Sequence, residues 1–467
     1  MGKKLALVLF VASVSFFAFL YGVSVGRFET FPFQTLREAG VAAVTVVNAA
    51  LYKVAKGTYI RFSDTPINSI EATRVERLAP DDQKRPVLIY GGLNQFLEYC
   101  PEFGCVGVEV NADGEVISSI PYRPREIFAA NKLDDFPYED LSFDFTVDIN
   151  PLGIARYDNG DYLVTFHGEF THPFGNGIAR LKPDGYPVWY RRDYSHHWPR
   201  MMDKGIALVP AYSMGQERIK VTGLGHDFEL PCSSARPLRD VIRYIDGDGK
   251  IVREIKLLDA LLKSPYRAVL QQTTDGCDPT HLNFVDVIER TEGVGDTGLE
   301  KGDLIVSLRN ISSFGILDGK TGLFKRLIRG TFLQQHSVQH LAGTRFLVFD
   351  NHGASDAGSA SRLLMVDLAS GIEKTVFPKK SVSGRYGNLF TKESGHIEIS
   401  KDRKRALVAF SLQGIAFEVG LPDGEVYRVF RNIHDVSSLE YFPEQRRKSG
   451  AVFILNGVRY TEALEKK

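Results

Sequence analysis

From about Arg85 onward the chain alternates short apolar runs with turn residues, a pattern of strands rather than of helices. One arrangement, an apolar run, a turn carrying Gly, and a second apolar run, recurs six times. Its copies are GVEVNADGEVISS from Gly107, GIARLKPDGYPVWY from Gly177, VIRYIDGDGKIVRE from Val241, FGILDGKTGLFKRL from Phe314, LLMVDLASGIEKTV from Leu363 and GIAFEVGLPDGEVYRVF from Gly414. The turn glycines Gly114, Gly185, Gly249, Gly322, Gly371 and Gly424 lie between 49 and 73 residues apart. A second arrangement, a turn leading into an apolar run, interleaves with the first as DNGDYLVTF, DKGIALVP, KGDLIVSL, AGTRFLVF and DRKRALVAF. Two hairpin signatures per repeat make about four strands, the size of one propeller blade. The expected fold is all-β, a six-bladed β-propeller over residues 85–460 with a short tail at 461–467. A pair of stacked β-sandwiches explains the recurrence less well. Between residues 278 and 351 strands are expected at Phe284–Ile288, Leu304–Leu308 and Phe346–Phe349, and the main helix of the domain at Asp259–Lys263.

The start of the chain follows a different pattern. Leu5 to Gly26 is 22 residues without a charge, long enough to span a bilayer. Lys3 and Lys4 precede it, which keeps the N-terminus cytoplasmic and sends the remainder across the membrane. No small-residue cleavage site is evident near Gly26, so residues 1–27 are expected to form a transmembrane signal anchor, with residues 5–26 in the membrane. The propeller is then expected on the periplasmic or extracytoplasmic side. Residues 28–84 read as a helix and a linker: Phe33–Lys56 carries apolar residues at steps of three and four, and residues 57–84 are polar, a linker or an edge wrapping the domain.

Composition narrows the function classes. The 57 basic and 57 acidic side chains cancel, so no broad nucleic-acid footprint is expected. The 31 Phe, 19 Tyr and 43 Gly fit a globular chain rich in turns and aromatics. Four cysteines in an exported domain form an even set, and Cys100 with Cys105 are disulfide candidates; Cys232 and Cys277 either form a second bridge or stay as buried thiols. Paired C-x-x-C zinc motifs are absent from the sequence.

The histidines keep step with the repeats. His197 lies eight residues before Gly205, His336 seven before Gly343 and His396 seven before Arg403, and His281 takes the corresponding place in its own repeat. Rotation about a propeller axis brings such positions into one ring. Arg309 ends a strand of the repeat that holds His281, and its forked donors suit an oxyanion. An anion-binding pocket is therefore expected, with His396 and Asn283 as additional candidates. Three histidines can also hold zinc, but Arg309 beside a cation is unfavourable, so no metal is expected. His196, adjacent to His197, is expected to point to the opposite side of an extended chain. His340 is expected in a turn or at the surface, and Trp198 in packing.

The succession HHWPRMMDKGIALVP, THLN, IVSLRN, the QH pair upstream of AGTRFLVFDN, and ASRLLMVD resembles the arylsulfotransferase family of β-propeller enzymes, over roughly residues 150 to 430. The resemblance implies transfer of a sulfuryl group from an aryl sulfate donor to a phenolic acceptor, without a nucleotide donor, metal or other cofactor, through a transiently sulfated histidine. It implies that His336, of the QH pair, is the nucleophile. His281 and Arg309 would bind the sulfuryl oxygens and the leaving phenolate, and His197 would complete the cage and assist proton transfer. The alternative is a non-catalytic propeller that binds a ligand or a protein partner, since a fold does not settle function. A zinc-dependent hydrolase using the same histidines is the third reading.

Overall fold

The computed structural model describes residues 13–22, 75–79, 85–91, 99–100, 103–130, 149–168, 174–215, 217–232, 236–355, 358–434 and 451–461. The chain divides into two compact units, Met1–Lys53 and Val54–Lys467. In the first, residues 13–22 are helical and exposed. The rest of the expected membrane segment, and the helix expected at Phe33–Lys56, lie outside the described residues. Among the described residues no helix is long and apolar enough to cross a membrane.

The second unit is a six-bladed β-propeller. Blade two runs Ile149–Arg156, Tyr162–Gly168, Gly175–Leu181, Pro187–Arg191, and its four antiparallel strands pair in sequence order. Blade three repeats this with Arg200–Met201, Ala207–Met214, Leu238–Ile245 and Ile251–Lys256. Blade four uses Leu282–Val287, Leu304–Leu308, Ser313–Leu317 and Phe324–Ile328, and blade five His336–Ala342, Arg345–Asp350, Arg362–Asp367 and Glu373–Phe377. Blade six is His396–Ile399, Arg405–Phe410, Ile415–Gly420 and Val426–Arg431. The helix expected at Asp259–Lys263 spans Leu257–Lys263, between blades three and four.

Both ends of this unit are stitched into the ring. Blade one takes Val87–Tyr90, Cys105–Val110 and Val116–Pro121 from the start of the domain, and its inner strand, Gly457–Tyr460, from the end. Val75–Arg77, in the segment read as linker or edge, pairs with Val426–Arg431 as a fifth, outer strand of blade six. A buried clasp crosses the junction: Arg428 Nε donates to Glu418 at 2.6 Å, and the Tyr460 hydroxyl of the closing strand donates to the other Glu418 oxygen at 3.0 Å.

Burial explains the nearly continuous apolar strands. Successive side chains of a strand point to opposite faces, and in a propeller each face meets a different neighbour. Leu88 and Tyr90 pack with Ile154, Val164 and Phe166 of blade two, whereas Val87 and Ile89 pack with Leu407, Ala409 and Phe430 of blade six. The same alternation places a core at every other junction: two with three, three with four, four with five, and five with six. Each fully buried aliphatic or aromatic side chain there contributes about 1.5–3 kcal/mol relative to exposure. Two disulfides, Cys100–Cys105 and Cys232–Cys277, tie loops of the unit, with Cα atoms 5.3 and 4.6 Å apart.

A histidine cage at one end of the propeller axis

The inner strands of blades four and five begin at Leu282 and His336, and that of blade three at Arg200, so His281, His336 and His197 all stand at the same end of the axis. Two of these entries carry an irregularity of the ladder. The register shifts between Leu282 and Phe284 in blade four and between His336 and Val338 in blade five. The chain also takes positive φ at His197 (51°), His281 (49°) and Ser337 (46°). A non-glycine residue in that region is uncommon and costs of order 1–3 kcal/mol, so the surroundings must enforce it.

Those surroundings are visible for each residue. The Thr165 hydroxyl donates to the main-chain oxygen of His197 at 2.5 Å, and Gly153, also in blade two, lies so close that a Cβ there would overlap that oxygen. Asp193, buried between Arg191 (3.0 Å) and Arg243 (2.8 Å), accepts the Ser195 amide at 2.9 Å and pins the approach to the histidine pair. Around His281, Asp240 accepts the Thr280 hydroxyl on one side and the Leu282 amide, at 3.0 Å, on the other. Asn283 is fully buried and donates to the Gln335 carbonyl at 2.8 Å, bracing the main chain just before His336. It therefore acts on the site through the backbone.

Three of the four repeat-related histidines meet. The ring of His197 is 5.6 Å from that of His281 and 6.2 Å from that of His336, centre to centre. His396 does not join them. Its rings of contact are Trp198 at 5.1 Å, Phe284 at 6.1 Å and Tyr90 at 6.3 Å, a buried aromatic layer. The ladder of blade six runs from His396 without the register shift found after His281 and His336. Trp198 packs in that layer, as expected.

His196 is placed differently from the expectation. Alternation holds for an extended chain, and the positive φ of His197 breaks it. The Nδ1 atoms of His196 and His197 consequently lie 2.6 Å apart, one donating and the other accepting. His340, expected in a turn or at the surface, is buried in the inner strand of blade five, where its Nε2 donates to the Gly343 carbonyl at 2.8 Å. Phe174 sits among the cage rings, 5.4–5.6 Å from His167, His196, His197, His281 and Tyr212.

Two partners that sequence reasoning missed define the imidazoles. Asn351 gives its amide protons to the carbonyls of Thr391 (2.9 Å) and Ser394 (2.7 Å), which turns its oxygen toward His336 Nδ1 at 2.8 Å. That oxygen can only accept, so the proton of His336 resides on Nδ1 and the lone pair on Nε2. Asp278 does the same for His281, with Oδ2 2.5 Å from Nδ1. Arg309 stands at the end of the second strand of blade four, its Nη1 donating to Asn310 Oδ1 at 2.9 Å and Nη2 to Gln334 Oε1 at 3.3 Å. Among the described residues these are amide oxygens and no carboxylate pairs with it, so its charge is not cancelled locally.

Burial governs protonation here. It lowers His336 to about 3, helped by the charges of His281 and Arg309, although Asn351 opposes the shift. It also takes His196, His197 and His396 well below 6.5. These four bind protons when unfolded at pH values where the folded protein leaves them neutral. Stability is therefore complete above about pH 6.5 and falls as pH drops from there toward 3. Melting temperatures measured from pH 7.5 to 4.5 should fall steeply below 6.5, and substituting His396 by Phe should flatten the slope by about one proton. A melting temperature that stays level to pH 4.5 contradicts neutral burial of these rings.

The order of these residues along the chain, their convergence and the propeller now allow comparison with known proteins. A family model described as Arylsulfotransferase (ASST) matches residues 153–417, from the inner strand of blade two into blade six. The chain belongs to the arylsulfotransferase family. The match spans His197, His281, Arg309, His336 and Asn351. No curated protein matches the chain. Among solved structures, a protein of unknown function from Bacteroides caccae is similar at 11% identity, with 81% of this chain and 100% of that one covered and a TM-score of 0.44. Virginiamycin B lyase from Staphylococcus aureus is similar at 13% identity, with 60% and 70% covered and a TM-score of 0.34. The Pan2 WD40 domain from Neurospora crassa is similar at 12% identity, with 58% and 61% covered and a TM-score of 0.30.

The zinc reading of the arylsulfotransferase cage finds no support in its geometry. Among the described residues the one group offering three ligand atoms within 4.8 Å of one another is Glu300, Asp303 and Asp318, with Asp303 and Arg309 at opposite ends of the strand Leu304–Leu308. Lys325 already lies 3.4 Å from Glu300 and 3.0 Å from Asp303.

Proposed function

We propose that this arylsulfotransferase-family protein moves a sulfuryl group from an aryl sulfate to a phenol in two displacements at Nε2 of His336. The observation that carries the reading is the Asn351–His336 contact, because it leaves a neutral imidazole with its lone pair on Nε2. In the first displacement Nε2 bonds to sulfur, the sulfur–oxygen bond to the aryl group breaks, and its electron pair leaves with the phenolate. The positive charge formed on the imidazole is shared with the Nδ1–H that Asn351 accepts. Arg309 offers fixed positive charge to the sulfuryl oxygens and the leaving oxygen.

Family resemblance gives proton transfer to His197, but the Asp278 carboxylate on His281 makes the latter better suited. His281 as imidazolium gives a proton to the departing phenolate and takes one back from the incoming phenol. That phenol then attacks sulfur, the nitrogen–sulfur bond breaks, and His336 is returned neutral. His197, tied at Nδ1 to His196, closes the cage.

Purified protein incubated with a fluorogenic aryl sulfate and a phenol should release product in proportion to acceptor, with parallel lines in double-reciprocal plots. No transfer, together with unaltered behaviour of the His336→Asn variant, would favour a non-catalytic binding propeller. Asn351 should act as a positioning residue: Asn351→Asp places a carboxylate on Nδ1, favours the imidazolium and should raise the acid limb of the rate by ~1–3 pH units. An acid limb that stays where it was would show that this contact does not set the state of His336.

The same reading includes a membrane anchor at residues 5–26 and a propeller outside the cytoplasm. The charge-free run from Leu5 to Gly26 and the two disulfides, which persist in oxidising compartments, support it. Protease added to intact cells or spheroplasts should digest the propeller; protection from it would reject that orientation.

A further inference from the structure

The axis has a second mouth, at the ends of the inner strands opposite the histidine cage. A cavity of about 850 Å³ opens there, lined from five of the blades. Cations outnumber carboxylates along its wall, with Arg85, Arg200, Arg290, Lys401 and Arg403 against Asp286, Glu289 and Glu398. The carboxylates are already engaged. Arg200 reaches Asp286 at 3.0 Å and Glu289 at 2.5 Å, and Arg459 reaches Glu398 at 3.3 Å.

Arg403 is the unusual member. It belongs to the turn signature DRKRALVAF, whose counterparts in four other blades hold Gly160, Gly205, Gly302 and Gly343 at positive φ. Blade six places an arginine there, at φ 60°. That backbone costs a side-chain-bearing residue about 1–2 kcal/mol that glycine does not incur. Its Nη1 is fixed by the carbonyls of His340 (2.5 Å) and Leu341 (2.6 Å), and its nearest carboxylate, Glu289 at 3.7 Å, is shared with Arg200. Burial lowers the proton affinity of this guanidinium, while Glu289 and Asp286 raise it and Arg290 and Arg200 repel it. The fold thus holds a charged arginine in a costly conformation, facing a cavity rich in other cations and short of free anions.

We propose that this mouth is a binding site for a small tetrahedral oxyanion, sulfate or phosphate, free or as the end group of a molecule that fills the cavity, with Arg403 as its anchor and Arg290 as a second arm. Forked guanidiniums are matched to such oxygens. The aromatic layer of Trp198, Phe284 and His396 lies between this mouth and the cage, so the site is distinct from Arg309.

Full-length protein titrated with inorganic sulfate and phosphate at constant ionic strength, against chloride, should show saturable binding by calorimetry and a rise in melting temperature. Arg403→Gly should melt no lower than the parent in chloride, because the strain is relieved, and should bind at least ten-fold more weakly. Arg290→Gln, at an exposed side chain, should weaken binding without affecting the fold. Arg309→Gln should leave one saturable site intact. The proposal is overturned if neither anion saturates, or if Arg309→Gln abolishes binding while Arg403→Gly and Arg290→Gln retain it. None of these outcomes depends on sulfuryl transfer.

Discussion

His336→Asn is expected to lower sulfuryl transfer on the order of 10⁴-fold while leaving the fold intact. The asparagine amide can still donate toward Asn351, so the buried carboxamide is not orphaned. What disappears is the nitrogen lone pair: an amide nitrogen does not displace phenolate from sulfur. Removing a group that forms the covalent intermediate typically costs 10³ to 10⁶ in turnover, and the remaining donors sustain only the residue. Steady-state rates, with circular dichroism to confirm folding, check this. A loss of less than about ten-fold would move the nucleophile elsewhere.

The second large effect is expected at Arg309. Arg309→Gln should reduce kcat/KM by about 10²–10³-fold, the usual cost of one donor aimed at developing negative charge. Arg309→Lys should recover only part of this, since a lysine keeps the charge and loses the fork. A structural role would lower all donors alike. Loss of charge stabilisation should instead make the rate depend more steeply on the acidity of the leaving phenol, so a series of substituted aryl sulfates separates the two. An unchanged dependence would reduce Arg309 to a packing residue.

Much of this arrangement was legible before any coordinates. Apolar runs buried on both faces and glycine turns at fixed places read directly as blades, and the strand Leu304–Leu308 falls where its run LIVSL predicts. The closure was legible too, though less directly. Six outer-hairpin signatures accompany only five of the other kind, because blade one has no turn leading from its inner strand: that strand, Gly457–Tyr460, arrives from the far end of the domain. Its four residues GVRY carry too little pattern to be recognised alone.

The site was legible as positions and not as orientations. Repeat spacing aligned His197, His281, His336 and His396, yet only three converge, since side-chain direction depends on a bulge or a positive φ that spacing does not encode. The partners of the imidazoles were hidden for a similar reason. Asn351 ends FDN two residues beyond Phe349, which pairs with His336, so a register argument for blade five would have placed it near the ring. Asp278 stands three residues before His281 in DPTH, and its carboxylate folds back only because the chain turns at His281.

The most direct test of the account is the mass of the protein quenched after incubation with an aryl sulfate and no acceptor. One sulfuryl group should be found on the peptide containing His336, absent from His336→Asn and discharged when a phenol is added. An unmodified His336 peptide under conditions where product is released, or a sulfuryl group on another residue that phenol discharges at the turnover rate, would contradict it.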